Sequence, residues 1–144
     1  MKRSLLVLLS LGAAIGAGCS SAAPEAPAIV YEATNPAKVV EEHDGVQYVY
    51  LTEGPAYFAE DSIRVKAGSV VFYVTNEADR EVTLTVAPFG DRSAENAIFS
   101  LRVPKGQTAT HRAELEAGLY EYSCPINSTE WYPLTVERAD LSED

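Results

Sequence analysis

From residue 46 onward the chain alternates apolar and polar side chains with a period of two, and that rhythm fits extended strands far better than helices. Val70, Phe72 and Val74 share one parity, as do Val82, Leu84 and Val86, with Thr83 and Thr85 between them. Phe99, Leu101 and Val103 alternate with Ser100 and Arg102. The rhythm predicts strands over residues 46–52, 62–66, 70–74, 82–86, 99–103, 107–115, 119–124 and 131–138. Turn residues separate them: Gly54-Pro55, Ala67-Gly68, the stretch from Asn76 to Arg80, Pro104-Lys105-Gly106 and Ala117-Gly118. A single helical turn is expected at 93–97 and no longer helix. Strands at this regular spacing imply an all-β sandwich or barrel with Greek-key connections.

The residues ahead of this domain read as an export signal. Lys2 and Arg3 form a positive start, and Leu5, Leu6, Val7, Leu8, Leu9 and Leu11 form a short apolar run that ends in Gly and Ala. Residues 15–19, Ile-Gly-Ala-Gly-Cys, resemble the bacterial lipobox, with Gly16 where Leu is usual. The resemblance implies cleavage before Cys19 and a diacylglycerol on its thiol. Cleavage by the ordinary signal peptidase after Ala22 is the alternative. The organisation expected is a leader at 1–18, a lipidated Cys19 with a small-residue linker to 45, a β-domain at 46–138 and an acidic tail at 139–144. Such a chain would sit in the bacterial cell envelope, facing the periplasm or the outer cell surface. Its N-terminal lipid would lie in a membrane, and another envelope protein would be its partner.

The formal net charge is −10, and loss of Lys2 and Arg3 with the leader makes it −12. An acidic surface without a basic run repels phosphate backbones, which argues against nucleic acid. With Cys19 acylated, Cys124 is left as an unpaired thiol.

Two stretches in this order resemble cupredoxins. The first runs from Ile63 through Ala67-Gly68 to the apolar strand ending at Asn76. The second runs from Val103-Pro104-Lys105-Gly106 to Gly118-Leu119-Tyr120-Glu121-Tyr122-Ser123-Cys124. The resemblance covers residues 46–138 and implies a cupredoxin-like β-sandwich, with Cys124 at the thiolate position of a blue-copper site. Such a site takes two imidazoles, the thiolate and a weak axial ligand, often Met. The resemblance puts the first imidazole at Val82 and the second just beyond Cys124, where Asn127 is the nearest polar residue. Met1 is the only methionine. Val82 and Asn127 therefore mark degenerate ligand slots, and no cofactor is expected.

An unusual copper site could still be assembled from Cys124 and His111, with His43 or a carboxylate such as Glu81 as a further donor. His43 lies in an acidic turn, and His111 has the parity of Ala113 and Leu115. Without metal, Cys124 reads as a small buried apolar residue. Trp131 and Tyr132 either fill the old pocket as core or form an aromatic patch for a partner. Nucleophilic catalysis needs an oriented base beside the thiol, and no enzyme activity is expected.

Overall fold

The computed structural model describes residues 33–41 and 44–139. Among these residues nine strands form two sheets. They are β1 (Lys38–Glu41), β2 (Gln47–Glu53), β3 (Ile63–Lys66), β4 (Gly68–Asn76), β5 (Val82–Pro88), β6 (Phe99–Val103), β7 (Thr108–Leu115), β8 (Gly118–Ser123) and β9 (Tyr132–Glu137). One sheet has the order β1-β2-β4-β7 and the other β3-β9-β8-β5-β6. β2 runs parallel to β4, and β3 parallel to β9; the remaining pairs are antiparallel. Short one-turn 3-10 segments occur at Ala94–Asn96 and Pro125–Asn127. No helix among the described residues is long and apolar enough to cross a membrane.

The alternation explains which face each strand buries. Val70, Phe72 and Val74 of β4 meet Val82, Leu84 and Val86 of β5 in one core cluster, together with Val49, Leu51, Leu134 and Val136. Each side chain of this size stabilises the fold by about 1.5–3 kcal/mol when fully buried. Phe72 and Phe99 bring their ring centroids to 5.1 Å, and Phe58 meets Tyr122 edge-on at 5.3 Å. Gly68 adopts φ 127°, outside the range open to L side chains, and this lets the chain pass from β3 in one sheet to β4 in the other.

Two polar side chains are built into the frame. Asn76, at the end of β4, donates through Nδ2 to the carbonyls of Arg80 (2.7 Å) and Val103 (2.9 Å). Its Oδ1 accepts from Ala78 N, so one side chain closes the loop before β5. Gln47 makes a two-way bond with the Lys66 backbone and links the two sheets at their edge.

The ordered domain starts earlier than residue 46. β1 pairs with β2 inside the stretch expected to be linker, and Thr34 N and Asn35 N donate to the Asp61 carboxylate at 2.8 and 3.0 Å. A four-residue edge strand, Lys-Val-Val-Glu, is too short for its periodicity to stand out beside polar neighbours. The leader, Cys19 and His43 lie outside the described residues, as does most of the acidic tail.

Candidate functional site

Cys124 follows β8 directly and is wholly buried. Its Sγ accepts a hydrogen bond from Thr83 N at 3.2 Å, which fastens the end of β8 to the start of β5. Burial is the main force that pushes the thiol's pKa up, and the Thr83 N–H opposes it. A thiol held neutral in an apolar shell is a poor nucleophile.

Beyond Cys124 the chain makes a 3-10 turn and a left-handed residue, Ser128 (φ 54°, ψ 28°). Asn127 N and Thr129 N both donate to the Cys124 carbonyl. Two side chains then point inward. Asn127 Nδ2 donates to Glu53 Oε1 at 3.0 Å and to the Gly54 carbonyl at 3.2 Å, and Thr129 Oγ1 donates to Glu53 Oε1 at 2.9 Å. Ser123 Oγ adds a bond to the Thr129 carbonyl. A carboxylate at the end of β2 thus pins the loop that follows the thiol.

Glu53 is 0% exposed, and its pKa is raised, chiefly by desolvation, against which the Asn127 and Thr129 hydrogen bonds work. Glu53 and Thr129 were not among the sequence candidates. Glu53 has the inward parity of Val49 and Leu51, and an acidic residue at a core position of a strand is the signal that could have found it.

The other candidates are placed as follows. Val82 is buried in the core. His111 is half-buried, with its ring stacked on Phe99 at 4.1 Å. Phe99 pairs with Val86, three residues along β5 from the Thr83 N–H that meets the sulfur, so the partner of His111 lies further along the strand than Cys124. Glu81 is engaged with Arg102 at 2.6 Å. The structure therefore does not gather Cys124, His111 and Glu81. Among the described residues no group of three or more His, Cys, Asp or Glu side chains converges as a metal site.

Tyr132 packs against Tyr122 (5.6 Å) and Phe58 (6.4 Å), and Trp131 is half-buried under the Arg92 guanidinium, 5.4 Å from the ring centroid. Trp131 and Tyr132 are both half-buried, and the exposed apolar side chains near the loop are Ile126 and Tyr57.

The domain superposes on solved blue-copper proteins. Auracyanin A, a "blue" copper protein from Chloroflexus aurantiacus, matches with a TM-score of 0.56 at 16% identity, over 65% of this chain and 100% of that one. The fold is cupredoxin-like. Auracyanin B matches the cupredoxin-like domain with a TM-score of 0.53 at 18% identity, over 71% of this chain and 96% of its own. A copper binding protein solved in the apo form matches with a TM-score of 0.55 at 14% identity, over 71% and 97%. No protein-family model and no curated protein sequence matches the chain.

The donor set of this cupredoxin-like domain does not fit type 1 copper. Val82 offers no donor atom. Asn127 directs its nitrogen to Glu53 and Gly54, and an amide is a weak ligand for copper in any orientation. Cys124 alone keeps a soft donor.

Proposed function

We propose that this chain is an exported, membrane-anchored interaction module on a cupredoxin-like scaffold that works without type 1 copper and without catalysis. The single observation that carries this reading is the Glu53–Asn127–Thr129 network. It holds the loop beyond Cys124 with a carboxylate and two neutral donors, where a copper site would need imidazole. The thiol beside it is buried and its thiolate disfavoured, and neither property serves a nucleophile.

The anchor is the lipid on Cys19, with the short stretch rich in Ala and Pro as tether. Acyl chains in a membrane bind by about 0.8 kcal/mol per buried methylene, so more than one chain holds the protein firmly. The place is the bacterial cell envelope, on the periplasmic or outer-surface side, and the partner is another envelope protein. Ile126 (62% exposed) and Tyr57 (53% exposed) flank the Asn127–Gly54 bond and supply apolar surface for that contact.

Addition of Cu(II) to the purified protein tests the copper-free reading. The expected spectrum has no intense blue thiolate band, and the appearance of one overturns the proposal. The rival reading, metal handling through Cys124 with unusual ligands, draws its support from the retained thiol; unchanged metal affinity in Cys124→Ser removes that support.

A further inference from the structure

The contact between Glu53 and Asn127 joins two planar groups, a carboxyl and a primary amide, through one edge of each. Asn127 Nδ2 donates to Glu53 Oε1. The other oxygen of each group, Glu53 Oε2 and Asn127 Oδ1, is buried and has no hydrogen-bond partner. Two lone-pair acceptors left in this way in an apolar interior cost free energy unless a hydrogen is supplied.

Asn127 cannot supply it. Its amide nitrogen already serves Glu53 Oε1 and the Gly54 carbonyl, and a flipped amide would set Oδ1 against those same two acceptors. No cation supplies it, since no ion pair to Glu53 occurs among the described residues. The Thr129 hydroxyl is committed to Oε1. A proton on the carboxyl itself would supply the missing hydrogen.

We propose that Glu53 and Asn127 form a proton-closed latch: one proton on Glu53 Oε2 is donated to Asn127 Oδ1, and its loss frees the loop at residues 125–129. With the proton in place, both orphan oxygens are satisfied and the two groups close a ring of two hydrogen bonds. Without it, a desolvated carboxylate faces an amide oxygen, and the loop that carries the exposed Ile126 opens to admit water.

Burial raises the pKa of Glu53, and the Cys124 thiol beside it is likewise held neutral. Glu77 gives its backbone N–H to the Glu53 carbonyl while its side chain faces solvent, and Glu60 takes the Thr52 N–H. Arg80 acts on Cys124 as a favourable positive charge, and it makes its ion pair with Asp79. The latch rests on the copper-free reading in one respect, that Asn127 is not held by metal.

The test uses the full chain in detergent with a metal chelator. The Glu53 side-chain carboxyl and the Asn127 side-chain amide are followed by NMR from about pH 4 to about pH 9. Glu53 is expected to titrate above the ordinary glutamate range, and the Asn127 amide resonances to move with the same midpoint. Backbone exchange at 127–129, corrected for intrinsic rates, should rise about tenfold above that midpoint. In Glu53→Gln an amide N–H replaces the proton, and the loop exchange becomes independent of pH. Titration of Glu53 at or below the ordinary value, or an Asn127 amide that does not follow it, overturns the latch. A blue band with Cu(II) in unchelated protein would instead remove the copper-free reading and leave this titration standing.

Discussion

Two glutamates among the described residues are buried, and they are treated in opposite ways. Glu121, on the outward parity of β8, is covered by the segment between β5 and β6. Its Oε1 accepts from Gly90 N at 2.9 Å and its Oε2 from Arg92 Nε at 2.7 Å. Glu53, on the inward parity of β2, has two neutral contacts from a loop and no cation among the described residues, and one of its oxygens has no partner. Both hold down a loop. A carboxylate with a guanidinium is a charge-matched clasp, whereas a carboxyl among amide and hydroxyl groups is at ease only with its proton. The first arrangement suits a permanent strap, and the second suits a loop that changes with its surroundings.

The clasp gives the largest expected effect. Arg92→Ala leaves the buried Glu121 without its cation, and because the Arg92 side chain is itself half-exposed the loss in urea unfolding should be about 2–3 kcal/mol. Arg92 also lies over Trp131, so the variant should alter Trp fluorescence. Arg92→Lys keeps the charge without the planar fork and should recover only part of the loss. If Arg92→Ala is neutral, the two glutamates are not held in different ways and the comparison fails.

Next in size is Glu53→Ala, expected to cost about 2 kcal/mol because it leaves a cavity and strips Asn127 and Thr129 of their acceptor. Glu53→Gln sharpens the contrast through its sign. The folded-state pKa of Glu53 lies above the unfolded value, so the stability linked to it is fully present below the unfolded value. That stability is lost as pH rises through the folded one. The wild-type domain should therefore lose stability from mildly acidic to neutral pH, and the amide variant should show less of this fall. Equal slopes in the two proteins would show that Glu53 keeps no proton on folding.

The same two residues show what the sequence can and cannot reveal. The core faces of β4, β5 and β6 were legible because Val, Phe and Leu recur at period two over five or more residues. Glu53 was also legible in principle, since it continues the parity of Val49 and Leu51. Glu121 was not: its parity points outward, and only the packing of the 88–98 segment over the sheet buries it together with Ala87. β1 escaped notice because four residues at a sheet edge carry too little pattern. The expectation of ligand slots at Val82 and Asn127 rests on the order of motifs alone. That Asn127 turns toward β2 depends on a contact across 74 residues, which no local spacing encodes.

Cys124, at the start of the 125–129 loop, supplies a smaller test. Its sulfur is buried and accepts only a backbone N–H, so Cys124→Ala should cost about 1 kcal/mol, the scale of a small core truncation. In the native protein it should resist a maleimide reagent and react on unfolding in urea. Rapid labelling of the folded protein would show that the 125–129 loop opens even when the latch is closed.

The smallest effect concerns the backbone of that loop. Ser128 holds φ 54° and ψ 28°, a conformation that costs a non-glycine residue about 1 kcal/mol. It is exposed, and it sits between the two side chains that reach Glu53. Ser128→Gly removes the strain but adds freedom to the unfolded chain, so the net gain in urea unfolding should be only about 0.5 kcal/mol. The comparison predicts where that gain acts. If the loop is held by Glu53, relief at Ser128 should slow exchange at residues 127–129 and leave the strap around Arg92 unchanged. A slowing that spreads equally to both loops would mean that they open as one unit, and the difference between the two glutamates would then have no bearing on how each loop moves.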